Sequence, residues 1–417
     1  MIKPLRIAII GAGPAGLAAA LYLHRAGHTV SLFERFAEAA PVGSGLILQP
    51  TGLTVLEDLG LFAAIAQLGA RIDRLYGADA QSGRTVLDVR YAAIKGGRHG
   101  IAVHRAALFH VLHEAVVGEG IAVETGLDID SLETRGDQAW LLSAQGSKAG
   151  PFDLVVDASG SRSKFKAYSL QPSEPKPLVY GAFWASLQAD AATLNSKALV
   201  QRYQRATTMI GVLPIGQAHP DSAAMSAFFW STKPDEVDTL KRAGINSWKD
   251  QVAGLWSDCE PYLRQINSFD DMTLARYGHH TLKMPVGRSL AIIGDAAHST
   301  SPQLGQGANM ALLDARALVH ALNTSDDLES ALPRYAASRR LHVRTFQALS
   351  AAFTPFYQSD STVMPLLRDR VMATISKIPP APQILASMVA GTLVDPFKAI
   401  GLKERSWAVQ APLNGDH

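Results

Sequence analysis

The sequence predicts an α/β fold (α+β overall) in which a Rossmann-like domain is assembled from discontinuous segments, with an inserted antiparallel sheet and a helical C-terminal part. Three observations support this prediction. A strand-helix-strand pattern occupies residues 5–33, and strand and helix patterns return at residues 289–322. Between them, residues 175–285 contain short β-prone runs separated by polar, Pro and Gly turns.

The first 33 residues are expected to form a β-α-β unit. Residues 5–10 are an apolar run without alternation, which is typical of a parallel strand covered on both faces. Residues 15–25 are rich in Ala and Leu and are followed by Gly27, a natural helix C-cap. Residues 28–33 then form a second apolar run that ends before Glu34.

The later segments define the remaining elements. Apolar side chains recur at helical spacing in residues 105–117 and 307–322, while residues 152–156 and 289–293 have the composition of buried strands. β-prone runs lie at residues 178–185, 209–213 and 224–230, and a helix is expected from about residue 332 to Pro355. The domains are therefore predicted as residues 1–75, 100–174 and 286–330 (nucleotide-binding), 76–99 and 175–285 (β-rich), and 331–417 (helical).

Composition excludes several classes of protein. The 417 residues contain 39 Lys and Arg against 37 Asp and Glu, interspersed throughout, so no nucleic-acid partner is expected. A single cysteine, Cys259, cannot form an intramolecular disulfide, and a reducing cytoplasm is the expected location. Glycines and a proline interrupt the apolar residues 7–23, and the apolar residues 384–402 are expected to pack on the main body, so membrane contact is not expected. No metal site is predicted, because the adjacent His279 and His280 point in different directions in any regular element.

A glycine motif lies between the first strand and its helix. Gly11, Gly13 and Gly16 have the Gly-x-Gly-x-x-Gly spacing, with Pro14 and Ala15 opening the helix. In this context the first Gly permits a tight turn, the second lets the backbone approach a pyrophosphate, and the third allows close packing of helix on strand. Glu34, at the end of the second strand, is expected to accept hydrogen bonds from ribose hydroxyls. The pattern predicts a dinucleotide site, which suits NAD and FAD equally.

A second motif favours FAD. Asp295 follows a predicted strand, Pro302 comes next, and Gly305, Gly307, Ala308 and Asn309 lead into a predicted helix. Asp295 is expected to bind ribityl hydroxyls. The backbone amides of Gly307, Ala308 and Asn309 are expected to stabilise negative charge on the reduced flavin ring near N1 and O2.

These two motifs together resemble the flavoprotein aromatic hydroxylases, the family of para-hydroxybenzoate, salicylate and phenol hydroxylases. By this resemblance Arg105 points toward the FAD phosphates, and Gly45 belongs to a loop beside the isoalloxazine. That loop lacks the family's arginine, for which Arg35 is a candidate substitute. The middle motif departs from the family's Gly-Ala-Asp-Gly, since Asp157 stands at the usual Gly and Ser159 at the usual Asp.

The resemblance also implies the chemistry. FAD would be reduced by NADH or NADPH as a transient co-substrate, O2 would be the second co-substrate, and a flavin C4a-hydroperoxide would hydroxylate an aromatic or phenolic small molecule. The β-rich insert would cover the substrate, with Trp184, Phe229 and Trp230 as candidate pocket residues. Pro302 and the amides of Gly307, Ala308 and Asn309 are the expected catalytic groups.

Two alternatives follow from the same motifs. A reductase or dehydrogenase without oxygen transfer would carry similar FAD motifs, and the altered residues Asp157 and Ser159 are compatible with a non-catalytic FAD-binding protein. No second Gly-x-Gly-x-x-Gly lies between a strand and a helix, so a separate nicotinamide-nucleotide domain is not predicted.

Overall fold

The computed structural model describes residues 2–37, 44–190, 194–372 and 376–407. The predicted N-terminal unit forms as expected, with strands Arg6–Ile10 and Thr29–Phe33 on either side of helix Pro14–Arg25. Proline at the first helical position lacks only an amide that the helix leaves unpaired, so the turn and the helix start are compatible.

The first sheet, here called the nucleotide sheet, contains both predicted N-terminal strands side by side, with further strands on either side of the pair. Its neighbours are parallel except for the first pair, and helices cover one face. Ile7 and Ile9 face those helices, whereas Ala8 and Ile10 face the opposite side, as the period of two requires. In spatial order the strands are Val286–Gly287, Leu290–Ile292, Leu154–Asp157, Arg6–Ile10, Thr29–Phe33 and Ala122–Glu124.

A three-stranded antiparallel sheet covers the second face of the nucleotide sheet, where a helix is the usual cover. Its strands are Ile129–Arg135, Gln138–Ser143 and Lys148–Phe152. The predicted strand at 152–156 is therefore wrong as a single element. Phe152 ends one strand and Leu154 begins another, because Asp153 turns the chain by accepting the amide of Arg6 at 2.8 Å.

A seven-stranded sheet, here called the cover sheet, contains the β-rich middle of the chain. Its neighbours are antiparallel except for Arg74–Asp79 beside Ala198–Gln204, which are parallel. The predicted domain boundary between residues 75 and 76 falls inside the strand Arg74–Asp79. Leu75, before that boundary, is buried and packs in the core beside the cover sheet. In spatial order the strands are Thr273–Ala275, Gly181–Gln188, Met225–Thr232, Thr208–Gly216, Ala198–Gln204, Arg74–Asp79 and Thr85–Arg90.

Helices pack on the outer face of the cover sheet around Trp248 and Trp256, both buried. They are Val237–Ala243, Ile245–Leu255 and Glu260–Leu263. Smaller elements join the two sheets: strands Gly45–Leu48, Gly100–His104 and Ala70–Ile72, a two-stranded ladder of Lys176–Pro177 with Gly278–His279, and helices Pro50–Asp58, Phe62–Leu68 and Arg105–Gly118.

The last third of the chain is mostly helical. Helix Leu328–Tyr357 is longer than expected, since it contains Pro333 and continues beyond Pro355. The other helices are Asp295–His298, Gly307–Asn323, Val363–Leu367, a π-helical segment at Arg368–Met372, and Ala381–Ala390. Short 3-10 turns lie at Tyr91–Ala93, Phe165–Tyr168, Pro234–Glu236, Ser257–Cys259, Phe269–Asp271, Pro302–Leu304 and Lys398–Ile400.

A buried polar cluster joins this helical part to the nucleotide sheet. The Asp314 carboxylate accepts the Gly294 amide at 2.9 Å, His298 Nε2 at 2.5 Å and Arg339 Nε at 2.8 Å. Burial raises the pKa of Asp314, but its electrostatic interactions with His298 and Arg339 and the hydrogen bonds from both residues outweigh burial and lower the pKa to about 2. His342 continues the cluster, because its Nε2 donates to the Gly391 carbonyl at 2.9 Å.

His342 is held in its neutral form. Burial, with a further contribution from Arg339, lowers its pKa to about 3. A histidine in the unfolded chain has a pKa near 6.5, so the unfolded state binds the extra proton first as the pH falls. Below pH 6.5 the free energy of unfolding should therefore decrease, by up to about 1.4 kcal/mol per pH unit, until the folded protein is protonated near pH 3.

We expect His342→Gln to reduce the decrease in the free energy of unfolding between pH 6.5 and 4, because glutamine can still donate to the Gly391 carbonyl but does not titrate. The measurement is urea unfolding at a series of pH values between 7 and 4. His113→Gln, on a partly exposed helix face, is the matched control and should retain the wild-type slope. Equal slopes for wild type and His342→Gln would show that another group causes the acid sensitivity.

Candidate active site

A cavity of about 490 Å³ lies between the nucleotide sheet and the cover sheet. One part of its wall comes from both predicted nucleotide motifs, and another part comes from the inner face of the cover sheet. Of the predicted site residues, it is lined by Gly13, Pro14, Ala15, Gly45, Arg105, Asp295, Pro302, Gly305, Gly307 and Ala308.

The glycine loop presents an open helix N-terminus to this cavity. Gly13 is the N-cap of helix Pro14–Arg25, which has no capping side chain and no acidic residue in its first turn. A Cβ at Gly13 would meet no atom within 4 Å, whereas one at Gly11 would lie 2.6 Å from the Ala158 carbonyl oxygen. Gly11 also has φ of +102°. The loop therefore leaves the first-turn amides free for an anion.

A second open helix N-terminus faces the same cavity. Helix Gly307–Asn323 also lacks a capping side chain and an acidic first turn. Gly307, Ala308 and Asp295 line the cavity nearby, and a Cβ at Gly307 would have Asp295 Oδ1 at 3.6 Å as its nearest neighbour. Two N-termini with positive partial charge, together with Arg105, fit an elongated ligand with phosphate at one end and an electron-accepting ring at the other. The residues present thus fit FAD.

Arg105 and Gly45 meet at the cavity wall. The Arg105 amide donates to the Ser44 carbonyl at 2.9 Å, which fixes the start of helix Arg105–Gly118 beside the strand Gly45–Leu48. A Cβ at Gly45 would lie 2.3 Å from Ile215 Cγ2, so the close packing there requires glycine. Gly43, quoted with this loop, lies outside the described residues.

Some predicted residues lie behind the cavity wall rather than in it. Glu34 accepts the amides of Ala12 at 2.8 Å and Phe36 at 3.1 Å, so its carboxylate holds the glycine loop. Gly11 and Gly16 shape that loop from behind. Arg35 is exposed, with its guanidinium 4.6 Å from the centre of the Phe36 ring, so the structure does not place it at a pyrophosphate site.

Asn309 differs most from its predicted role. It is completely buried, and its side chain accepts the Gln49 amide at 2.8 Å while donating to the carbonyls of Ile47 and Gly305. These bonds fasten the second motif to the strand Gly45–Leu48. Of the three amides predicted as catalytic, Gly307 and Ala308 line the cavity, while Asn309 lies behind them.

The altered middle motif organises its own loop. Asp157 is completely buried and accepts the Ser159 amide at 3.0 Å, the Ser159 hydroxyl at 2.5 Å and the Ser163 hydroxyl at 2.6 Å. Burial raises the pKa of Asp157, against these hydrogen bonds. Ala158 and Gly160 from this loop line the cavity.

The cover sheet contributes an aromatic wall. Trp184 packs on Phe229 with ring centroids 4.7 Å apart and donates from Nε1 to the Tyr277 hydroxyl at 2.7 Å. Burial raises the pKa of Tyr277 to about 12, so the phenol is protonated at neutral pH. Trp230 points away and packs on Trp248, because consecutive residues of a strand face opposite sides. Trp184 and Phe229 thus line the cavity and Trp230 does not.

The C-terminal part supplies lining residues that the sequence did not reveal. The Gln306 side chain donates to the Val389 carbonyl at 2.7 Å and so fixes helix Ala381–Ala390 against the second motif. No motif marks these positions; the only sequence signal was the apolar composition of residues 384–389. The lining residues concerned are Phe353, Tyr357, Arg368, Leu385, Met388 and Val389.

Among the described lining residues there is no histidine. Within residues 2–37, 44–190, 194–372 and 376–407, no three His, Cys, Asp or Glu side chains cluster as metal ligands would. No helix in that part of the chain has the length and apolar character needed to cross a membrane.

Comparisons with known proteins agree with this geometry. Residues 5–349 match the family model described as FAD binding domain. The FAD-dependent urate hydroxylase of Klebsiella pneumoniae is 27% identical over 352 residues, which cover 82% of this chain and 87% of that protein. The aurachin C monooxygenase/isomerase of Stigmatella aurantiaca is 26% identical over 382 residues, covering 89% and 94%.

Solved structures share the fold. HpxO of Klebsiella pneumoniae, determined with FAD and uric acid, superposes with a TM-score of 0.76 at 22% identity and covers 93% of this chain and 97% of its own. The tetrameric form of 2-methyl-3-hydroxypyridine-5-carboxylic acid oxygenase gives a TM-score of 0.76 at 20% identity, covering 97% and 99%. The family model, the two helix N-termini and the aromatic cavity lead to one conclusion: the chain belongs to the FAD-dependent aromatic hydroxylase family and is an FAD-dependent monooxygenase.

Proposed function

We propose that this monooxygenase uses NADH or NADPH, together with O2, to hydroxylate a small aromatic molecule. The observation that carries the proposal is the continuity of one cavity, which runs from the two helix N-termini to the aromatic wall formed by Trp184, Phe229 and Tyr277. A flat ring held against that wall lies in the same enclosed space as the flavin-binding groups. Such an arrangement suits direct transfer of an oxygen atom from cofactor to ring.

Different residues of the chain would hold different parts of FAD. The amides of Gly13 and Ala15 and the Arg105 guanidinium would bind the pyrophosphate, with Pro14, which has no N–H, lying beside them in the same turn. Asp295 would accept ribityl hydroxyls, and Glu34 would fix the loop beside the adenosine ribose. The amides of Gly307 and Ala308 would stabilise negative charge on the ring.

When held by these residues, FAD would supply the redox chemistry: two electrons from the nicotinamide nucleotide would activate O2, one oxygen atom would enter the substrate and the other would leave as water. The chain's residues keep the site dry and oriented. The apolar side chains of the cover sheet and of helix Ala381–Ala390 exclude water from the ring end of the cavity. The Tyr277 hydroxyl accepts a hydrogen bond from Trp184 and retains its own proton, which it can donate to an acceptor on the substrate.

The absence of histidine among the described lining residues bears on the acid-base chemistry. Burial raises the pKa values of the lining residues Tyr203, Tyr277 and Tyr357, so none of these phenols serves as a base at neutral pH. Of the carboxylates in the described lining, Asp88 is bound by Arg74 at both oxygens and Asp295 is assigned to the ribityl hydroxyls. We therefore expect the reactivity of the ring to depend on its own electron-donating substituent and on its own ionisation.

We expect Gly13→Ala to lower FAD affinity about tenfold or more, since a loss of about 1.4 kcal/mol already corresponds to a factor of ten. Gly13 has φ of −75°, which any residue adopts, and a Cβ there meets no protein atom within 4 Å. The variant should fold normally while its methyl group occupies the space of the pyrophosphate. Fluorescence titration of the apoprotein with FAD measures the affinity.

Gly118→Ala is the matched control, because Gly118 ends a helix outside the cavity and its Cβ also meets nothing within 4 Å. Its FAD affinity should equal that of wild type. An unchanged affinity in a folded Gly13→Ala variant would contradict the assignment of this loop to the pyrophosphate.

The reaction itself is tested by NADH and NADPH oxidation with the purified holoenzyme under ¹⁸O2, with and without phenols, aromatic amines and heteroaromatic rings. We expect a ligand to stimulate oxidation and to gain one ¹⁸O atom, measured by mass spectrometry alongside peroxide. Reduction of a ligand without oxygen uptake would favour a reductase instead. Nucleotide oxidation that no aromatic ligand changes would contradict the proposed substrate class.

A further inference from the structure

Arg368 is a buried cation in the wall of the substrate part of the cavity. Its side chain is 1% exposed, and it lines the cavity together with Tyr203 and Tyr357. Removing a guanidinium from water costs several kcal/mol unless its charge and its donors are matched. Each buried donor of Arg368 is therefore expected to have a partner, either in the protein or in a bound ligand.

The described partners of Arg368 occupy part of the guanidinium. Nε donates to Asp369 Oδ1 at 2.7 Å, and Nη1 donates to the Phe356 carbonyl at 2.9 Å. Nη2 is buried and has no hydrogen-bond partner among the described residues. The rings of Tyr203 and Tyr357 lie 5.0 and 5.4 Å from the guanidinium carbon and fix its orientation by cation-π contact. A buried, oriented donor is thus left open.

No carboxylate of the cavity wall takes this donor. Asp88 lines the cavity, but Arg74 binds its two oxygens at 2.6 and 2.9 Å. Asp295 belongs to the flavin-binding motif. Arg339 is equally buried and pairs its Nε with Asp314, and its Nη1 also has no partner among the described residues, but it lies outside the cavity wall. The position in the cavity wall therefore distinguishes Arg368 from Arg339.

The helix that packs against Arg368 also contacts the flavin-binding motif. The hydroxyls of Thr354 and Ser301 share a hydrogen bond of 2.9 Å, and Ser301 directly precedes Pro302 in the flavin-binding motif. Tyr357, beside Arg368, lies three residues further along the same helix, or about 4.5 Å at 1.5 Å per residue. Arg368, Tyr357 and Pro302 line the same cavity, so a ring attached to a group on Arg368 would share that space with the flavin-binding motif.

We propose that Arg368 binds a carboxylate of the substrate through Nη2 and that this enzyme acts on aromatic acids. The inference rests on the proposed hydroxylase function, which it makes more specific. Carboxylate is the group favoured here, because a planar anion accepts charge-assisted hydrogen bonds from guanidinium at fixed geometry. Arg368 acts as a specificity residue; the oxygen-transfer groups lie elsewhere in the cavity.

The test compares each aromatic acid with its neutral amide on the FAD-loaded enzyme. Benzoate against benzamide, and hydroxybenzoates, aminobenzoates and hydroxypyridine carboxylates against their carboxamides, are titrated by the change in flavin absorbance. We expect wild type to bind at least one acid roughly tenfold or more tightly than its amide, as a charge-assisted hydrogen bond implies. Arg368→Met should remove that preference by weakening the acid alone, and Arg368→Lys should retain part of it.

Arg202→Met is the matched control. Arg202 precedes Tyr203 on the same strand but stacks on Trp256 on the outer face of the cover sheet, 5.0 Å from the ring. It should leave the acid preference unchanged. If Arg368→Met does not fold, the wild-type preference and its decrease in Arg368→Lys decide the question.

Equal binding of acids and amides by wild type, or equal weakening of both by Arg368→Met, would overturn the assignment of Arg368. Failure of the proposed function is recognised separately. In that case ligands change the flavin spectrum, but neither acid nor amide stimulates nucleotide oxidation or gains oxygen. Hydroxylation of amides as readily as acids would preserve the proposed function and refute this inference.

Discussion

The buried carboxylate of Asp314 is the interaction on which the arrangement of the site depends. It accepts the Gly294 amide, His298 and Arg339, and thereby joins the second flavin motif to the long C-terminal helix. A buried charge is tolerated only when its hydrogen bonds are complete, and loss of one partner leaves the others uncompensated. The motif that begins at Gly294 is therefore held from behind by a residue twenty positions later in the chain. This explains how a loop that must remain open toward the cavity is nevertheless fixed.

The cavity forms because the cover sheet is inserted in the sequence between strands of the nucleotide sheet. The nucleotide sheet alone would present two helix N-termini to solvent. The chain leaves this sheet, completes the cover sheet and returns at Val286–Gly287 and Leu290–Ile292, so the aromatic inner face of the insertion lies opposite those N-termini. Phe229 faces this space, and its neighbour Trp230 faces the outer helices. Alternate side chains of this strand thus line the cavity on one face of the cover sheet and pack against the outer helices on the other face.

Sequence patterns predicted the parts of the fold that depend on local chemistry. Gly11, Gly13 and Gly16 mark a loop whose geometry follows from the absence of side chains, and the structure has that loop. Asn309 was expected to serve through its backbone, but its side chain is used to join two segments 260 positions apart in sequence. Arg368 carried no signal at all, since its role depends on Tyr203 and Tyr357, which only the tertiary fold brings to it. Local spacing cannot encode contacts of this kind.

The same long-range contacts connect the two ends of the cavity. Gln306 immediately precedes the helix whose N-terminus faces the flavin site, and its side chain holds the carbonyls of Met388 and Val389. Those two residues line the cavity. Because Gln306 adjoins the start of the helix at Gly307 and also binds helix Ala381–Ala390, a shift of that helix start must move helix Ala381–Ala390 or break a buried hydrogen bond. The start of the helix at Gly307 and helix Ala381–Ala390 therefore hold each other in place on the wall of the cavity.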